Sequence, residues 1–262
     1  FIITQKGDFD PKKLTSDELR EWVIALMDIG EKPSSVKRKI SAVRSFYKFL
    51  NLKNLTDNNP TLKIVAPKVP KPLPKFFYEK DLDNCLEISK NNCNFEGVRN
   101  SLIIELIYQT GLRRSEVAGL EDKDVDTSKR QLKVLGKGNK ERVVPFGMKL
   151  AKMIDDYRII RNQEVEILTT KFFVHAKGTS LNPMHIYNVV RKLMGAVTTQ
   201  EKRSPHVLRH TFATSLLNDG ADVNAIKELL GHETLAATQV YTHASFEKIK
   251  SIYERTHPRG KK

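Results

Sequence analysis

Apolar side chains recur every three or four residues in two stretches near the start of the chain, a spacing that predicts two amphipathic helices. The first helix is expected from a cap at Thr15 or Ser16 to about Asp28, with Gly30 ending it. The second is expected to begin at Pro33 and to bury Val36, Ile40, Val43, Phe46, Tyr47 and Leu50. Two helices are few for an independent core, so we expect that the chain lacks the first helix of this domain.

Helical spacing also dominates the rest of the chain. We expect helices at 79–90, 98–110, 114–119, 147–165, 182–195, 205–218, 222–230 and 246–255. Two alternating segments, 131–135 and 141–144, flank a turn rich in Gly and Asn and predict a β-hairpin. A further short strand is expected at 171–174. The expected fold class is therefore mainly α with a small β-hairpin or sheet, the second domain being α+β.

A segment rich in proline and lysine separates the two regions. Its sequence, APKVPKPLPK, has four prolines within eight residues, which exclude a helix and favour an extended strap. We therefore expect a helical domain at 1–65, a linker at 66–76 and a larger domain at 77–262.

The charge balance indicates a polyanionic partner. Lys and Arg number 45 against 31 Asp and Glu, a formal net charge of +14, and a domain this basic commonly binds nucleic acid. The sequence contains no apolar run of the roughly 20 residues that a membrane span needs. Neither a secretory signal nor a basic amphipathic anchor is evident, so we expect a cytoplasmic protein without membrane contact. Cys85 and Cys93 are expected to be reduced thiols.

Four polar clusters in the larger domain contain candidates for chemistry. The first, TGLRRSE, places Arg113 after a helix-ending glycine, where its planar guanidinium could be free to hold phosphate. The second, GKGNKER, places Lys137 at the tip of the predicted hairpin. Taken alone, each reads more simply as a surface arginine beside a helix cap or as a polar turn.

The other two clusters lie towards the end of the chain. In SPHVLRHT, Ser204 could cap a helix on which His206 and Arg209 share a face near the N-terminus, where anions are favoured. In LLGH, His232 follows a helix-ending glycine, and Tyr241 comes nine residues later. A capped helix with surface polar residues and a half-buried tyrosine are the simpler readings of these clusters.

The sequence does not predict a metal site or a cofactor site. His206 and His210 have HxxxH spacing, but they lack the glutamate of HExxH and have Arg209 between them. The two cysteines have no histidine partners at the spacing of a zinc site. No Walker-type loop and no GxSxG turn is present.

In this order, the clusters resemble the catalytic signature of the tyrosine site-specific recombinases, most closely the Xer type. The strings TGLRRSEVAGL, GKGNKERVVPFG, HVLRHTFATSLLNDGAD and IKELLGHETLAATQVYTH carry the resemblance, together with the strap PKVPKPLPK. It implies a helical DNA-binding domain followed by a catalytic domain. The implied catalytic residues are Arg113, Lys137, His206, Arg209, His232 and the nucleophile Tyr241. His210 resembles the family's structural second histidine.

The resemblance also implies the reaction and its partners. Tyr241 would attack a phosphodiester of double-stranded DNA and form a 3′-phosphotyrosine, without ATP or metal. Arg113, Arg209 and His232 would stabilise the transition state, His206 would assist the tyrosine, and Lys137 would protonate the leaving oxygen. Four protomers on two DNA sites would form the active complex. The apolar stripe of the last helix, Phe246, Ile249, Ile252 and Tyr253, would dock on a neighbouring protomer or pack on its own domain.

Three alternatives to an Xer-like resolution of chromosome or plasmid dimers stay open at this point. An integrase of a mobile element would share the same residues. A type IB topoisomerase-like enzyme would relax DNA without exchanging strands. A DNA-binding protein with an inactive site is the non-enzymatic alternative.

Overall fold

The structure is a computed structural model that describes residues 10–70, 76–90, 94–136, 141–231 and 243–260. The chain divides into two compact units, Phe1–Leu73 and Pro74–Lys262. Among the described residues, no helix is both long enough and apolar enough to cross a membrane.

The described part of the first unit, residues 10–70, contains two helices, α1 (Ser16–Asp28) and α2 (Pro33–Leu52), followed by a 3₁₀ turn at Pro60–Lys63. The cap of α1 is Thr15, whose hydroxyl accepts the amide of Glu18 while the Glu18 carboxylate accepts the amide of Thr15. One cluster of buried apolar residues consists of Leu19, Leu26, Val36, Ile40 and Ile64, and a second consists of Leu14, Tyr47 and Leu50. Ile64 follows the 3₁₀ turn, so this segment completes a core that the two helices alone would leave open.

The second unit is mainly helical. Its helices are α3 (Glu79–Lys90), α4 (Phe95–Thr110), α5 (Arg114–Gly119), α6 (Met148–Glu164), α7 (Pro183–Val197), α8 (Pro205–Asn218), α9 (Val223–Leu230) and α10 (His243–Thr256). The eight helices expected from the sequence are all present, most of them within one or two residues of the expected bounds. The largest differences are at α4 and α10, each of which begins three residues early. At α4, the side chain of Asn94 accepts the amide of Gly97 and so caps the helix upstream of that glycine.

Helix α4 lies at the centre of the second unit. All ten side chains from Ser101 to Thr110 are buried, as expected for a helix with neighbours on every side. Helices α3, α6, α7 and α8 pack around it. The C-terminal end of α4 and the loop after it are therefore held in place by the core.

Three antiparallel strands form a small sheet in the order β1 (Val125–Asp126), β2 (Gln131–Leu135) and β3 (Glu141–Pro145). The expected hairpin is confirmed, with Val134 opposite Arg142 and Leu132 opposite Val144. The expected strand at 171–174 is wrong, since only two isolated bridges occur there, Glu121 to Lys171 and Val174 to Ser180. The fold class expected from the sequence is confirmed.

Helix α10 packs on its own unit. Ile249 and Tyr253 are buried in the core, and the Tyr253 hydroxyl donates to the Gln109 side chain on α4. Beyond the helix, the fully buried His257 stacks on Tyr253, and burial lowers its pKa to about 3. The described part of the apolar stripe thus belongs to the core of its own chain, while the side chain of Phe246 lies outside the described residues.

Candidate active site

Arg209 lies in the first half of α8 and is buried, with 7% of its surface exposed. Its Nη1 donates to the Gly111 carbonyl at 2.5 Å, and its Nη2 donates to the Leu230 carbonyl at 2.6 Å. Burial and the nearby charge of Arg113 lower the pKa of Arg209 to about 10, so it stays protonated at neutral pH. Arg209 therefore places a positive charge where two helices end.

Those two helices end at glycines with a left-handed backbone. Gly111 follows α4 with φ +62°, and Gly231 follows α9 with φ +61°. Carbonyls at a helix C-terminus lack intrahelical partners and carry the negative end of the helix dipole. These carbonyls suit a buried guanidinium, which explains why Arg209 is tolerated inside the core.

Arg113 is the residue that immediately precedes α5. Its Nη1 donates to Glu116 Oε1 at 2.8 Å, its backbone amide donates to Glu116 Oε2 at 2.8 Å, and its Nη2 donates to the Gly231 carbonyl at 3.2 Å. The side chain is 31% exposed. The expectation that this guanidinium is free is wrong, because the α5 carboxylate and the end of α9 both hold it.

Arg142 on β3 joins the same cluster, although it is not one of the residues expected at the site. It is 6% exposed and forms two hydrogen bonds of 2.9 Å to the Glu116 carboxylate. Burial opposes ionisation of Glu116, but hydrogen bonds and charge from Arg142, with hydrogen bonds from Arg113, lower its pKa overall. One sequence signal existed, since Arg142 shares the inward face of β3 with Val144, and a charge on an apolar face needs a partner.

His206 is exposed on α8, one turn before the buried Arg209. His210, one turn further along, is also exposed. Ser204 occupies the N-cap position as expected, but its side chain makes no capping hydrogen bond. Among the side chains that the structure describes, no group of three or more His, Cys, Asp or Glu is placed to hold a metal ion.

Lys137, His232 and Tyr241 lie outside the described residues. Their neighbours in sequence are described. Lys137 follows Gly136 between β2 and β3, His232 follows Gly231, and Tyr241 precedes α10 by two residues. Of the six residues expected at the site, the structure therefore brings together Arg113 and Arg209, with His206 on the same helix as Arg209.

The described part of the site is strongly cationic. Among the residues that the structure describes there, three guanidinium groups, those of Arg113, Arg142 and Arg209, face one carboxylate, that of Glu116. Each guanidinium has five N–H donors, and Arg209 uses two of them for the two carbonyls. The remaining donors and the excess charge favour an anion such as a phosphate.

Two family models match the chain. A model of the phage integrase family matches residues 75–248. A model of the phage integrase N-terminal SAM-like domain matches residues 4–54. The first match contains the cationic cluster and all six expected site residues.

Similar full-length proteins are tyrosine recombinases. One named tyrosine recombinase XerC, from Chlorobaculum tepidum, is 36% identical over 272 residues, covering 96% of this chain and 81% of its own length. Another of that name, from Pediococcus pentosaceus, is 39% identical over 267 residues, covering 99% and 88%.

Solved structures show the same fold. The crystal structure of XerA recombinase is 26% identical with a TM-score of 0.57, covering 98% of this chain and 89% of that chain. The XerH site-specific recombinase, bound to its difH substrate in a pre-cleavage complex, is 23% identical with a TM-score of 0.69, covering 94% and 72%.

Proposed function

Because the chain belongs to the phage integrase family, as a tyrosine recombinase of the Xer type, we propose that six of its residues form the active site for DNA recombination. The six residues are Arg113, Lys137, His206, Arg209, His232 and Tyr241. The enzyme cuts and rejoins DNA through a 3′-phosphotyrosine intermediate, in Xer-like site-specific recombination. The mobile-element integrase and the topoisomerase-like relaxer are not favoured, because the similar full-length proteins are named XerC.

One observation carries the assignment of the site. Arg113 and Arg209 come from different segments, yet both donate to the backbone at the end of α9, at Gly231 and Leu230. The next residue in the chain is His232. Arg113 and Arg209, which are far apart in sequence, thus contact the backbone directly before His232, which supports a common phosphate site.

The two arginines are proposed to hold the scissile phosphate. The pentacovalent transition state carries extra negative charge on its nonbridging oxygens, so charge-assisted hydrogen bonds strengthen as the reaction proceeds. His232 would add a further hydrogen bond to the same oxygens.

The remaining residues are proposed to move protons. The Tyr241 oxygen forms a bond to phosphorus and the bond from phosphorus to the 5′ oxygen breaks, which leaves a 3′-phosphotyrosine. His206 accepts the phenolic proton, and Lys137 donates a proton to the leaving 5′ oxygen. Attack by the 5′ hydroxyl of a partner strand reverses these steps and joins the exchanged strands, with no external energy source.

The proposed partner is double-stranded DNA, which the net charge of +14 supports. We propose a domain boundary with a basic linker at 66–76, and an active complex of four protomers on two DNA sites in the cytoplasm. Any contact between protomers through the C-terminal segment must use residues other than Ile249 and Tyr253, which are buried in their own unit. Resolution of chromosome or plasmid dimers is the proposed biological role.

A covalent capture experiment tests this proposal. A randomised pool of nicked duplexes is incubated with the protein, and the DNA that stays attached in detergent is recovered and sequenced. Wild type should enrich one sequence and carry the nucleotide on the peptide containing Tyr241, as found by mass spectrometry. Tyr241→Phe should bind the enriched duplex but form no adduct. An adduct formed by Tyr241→Phe would contradict the assignment of Tyr241 as the nucleophile.

The assignment of Lys137 has its own test. Lys137→Ala should slow cleavage and spare DNA binding, and a 5′-thio leaving group, which needs no protonation, should restore most of the rate. Lys133→Ala is the matched control, since Lys133 lies on the same hairpin and pairs with Glu141 on its exposed face. If the thio substrate leaves Lys137→Ala as slow as before, Lys137 is not the acid.

A further inference from the structure

We propose that Arg142 is a positioning residue of the active site, which orients Arg113 through Glu116 and fixes the chain just before His232. The inference rests on the proposed function of that site. Arg142 is not among the six motif residues. Its proposed role comes from where its guanidinium lies.

Three consecutive carbonyls at the end of α9 each accept from a different arginine. The Leu229 carbonyl accepts from Arg142 Nε at 3.0 Å. The Leu230 carbonyl accepts from Arg209 Nη2, and the Gly231 carbonyl accepts from Arg113 Nη2. Arg142 is thus the first of three cations that hold the backbone leading into His232.

The other edge of the Arg142 guanidinium orients Glu116. Nη1 donates to Oε1 and Nη2 donates to Oε2, each at 2.9 Å. Each of these oxygens also accepts from Arg113, Oε1 from its side chain and Oε2 from its backbone amide. Because two parallel bonds fix the plane of the carboxylate, Arg142 fixes the direction in which Glu116 holds Arg113.

The position of Arg142 in the fold connects a third part of the site. It lies on β3, opposite Val134 of β2, and Lys137 falls in the segment that joins these two strands. The Arg142 side chain therefore connects the hairpin of β2 and β3 to Arg113, through Glu116, and to the residues before His232. A hypothetical Cβ on Gly231 would lie 3.2 Å from Arg142 Nη1, so the loop packs directly against this guanidinium.

Only an arginine meets this geometry. The three bonds use Nε, Nη1 and Nη2 of one planar group, whereas a lysine offers a single point charge. The role depends on the shape of the fork as well as on its charge, and that difference can be measured.

The test compares Arg142→Gln, Arg142→Lys, Glu116→Gln and the double variant Glu116→Gln/Arg142→Gln on the nicked duplex recovered by covalent capture. Single-turnover cleavage by Arg142→Gln should fall by about 100-fold, the effect of a misplacement of about 1 Å, with DNA binding unchanged. Arg142→Lys should not restore the rate. The double variant should be no slower than Arg142→Gln, because Glu116 orients Arg113 only while Arg142 fixes the plane of its carboxylate.

Arg161→Gln is the matched control. Arg161 is also buried in the second unit, where it pairs with Asp122 at 2.7 Å and donates to the Phe172 carbonyl at 3.0 Å. Its loss should lower the melting temperature without slowing cleavage by the folded protein. This comparison separates a positioning role from a general loss of stability.

The pH profile supplies a readout that a structural role would not change. Three cationic side chains face Glu116. They are Arg113 at the start of its own helix, Arg142 on β3 and Arg209 on α8. Without Arg142, burial should raise the pKa of Glu116, so that it takes up a proton as the pH falls and releases Arg113. The rate of Arg142→Gln relative to wild type should therefore fall towards acid pH. The rate of the double variant relative to wild type should not change with pH.

Several outcomes would overturn the inference. It is wrong if Arg142→Gln or Arg142→Lys cleaves as fast as wild type. It is also wrong if the ratio for Arg142→Gln is flat with pH and its loss of rate is matched by Arg161→Gln. Absence of an adduct with wild type would instead refute the proposed function, so the two failures can be told apart.

Discussion

Gly111 connects the core of the second unit to the site, and Gly111→Ala should be damaging for two separate reasons. Its φ of +62° is left-handed, a conformation that costs an alanine roughly 1–2 kcal/mol. An added Cβ would also lie 2.5 Å from Phe212 Cδ1 and 2.8 Å from Leu230 Cδ2. Overpacking of this kind typically costs about 1–3 kcal/mol. These two costs add up to about 2–5 kcal/mol, from which the effect of alanine on the unfolded chain, about 0.4–1 kcal/mol, is subtracted.

Gly220→Ala is the matched control within the same unit. Gly220 has φ +83° but nothing within 4 Å of an added Cβ, so it incurs the backbone cost alone. Alanine also lowers the conformational entropy of the unfolded chain, which offsets about 0.4–1 kcal/mol of the cost to a similar extent at both positions. The difference between the two variants, about 1–3 kcal/mol, thus isolates the packing against Phe212 and Leu230.

Urea unfolding followed by far-ultraviolet circular dichroism measures this difference. The single tryptophan, Trp22, lies in the first unit, so its fluorescence should report an unchanged transition for that unit. Gly111→Ala should also slow DNA cleavage, because the Gly111 carbonyl accepts from Arg209. Equal destabilisation by Gly111→Ala and Gly220→Ala would refute the packing argument.

Two further predictions concern charge. Arg209→Lys should bind DNA but cleave it about 100- to 1000-fold more slowly, the usual effect of losing one hydrogen-bond donor to the transition state. Single-turnover cleavage measures this effect, and Arg161→Lys is the control. His257 has a folded pKa of about 3, below the unfolded value of about 6.5. The unfolded chain therefore takes up the proton first, and stability should fall as the pH drops from about 6.5 towards 3, by up to about 1.4 kcal/mol per pH unit. Urea unfolding at several pH values checks this, and a slope as steep in His257→Gln as in wild type would contradict it.

Most of the helices could be predicted because their signals are local. Pro33 and Pro205 begin helices, and Gly111 and Gly231 follow helices in a left-handed conformation, all within a few residues of the apolar stripe that they bound. The segment 171–174 differs from its prediction because its signal is not specific to one kind of structure. Apolar residues there, such as Phe172 and Phe173, are buried without a strand, and a short apolar run does not distinguish these cases.

The site was predicted as a set of residue types but not as a network. The motifs predict Arg113 and Arg209 as site residues, and they allow the Arg113 guanidinium to be free. In the structure, Glu116 and the Gly231 carbonyl hold it. Arg142 lies on a strand outside the four motifs, so its residue type and spacing alone do not single it out. Its place on the inward face could have been noticed, but its partners could not.

The sequence by itself determined the helical architecture, the hairpin and the order of the six motif residues, since each of these depends on neighbours a few positions away. Only the tertiary structure decided that three arginines meet at the carbonyls of residues 229–231. Those contacts join residues separated by 87, 21 and 118 positions, which no local pattern encodes. The physical reason is that a buried guanidinium must find oxygen acceptors, and here the folded chain provides them at a helix end.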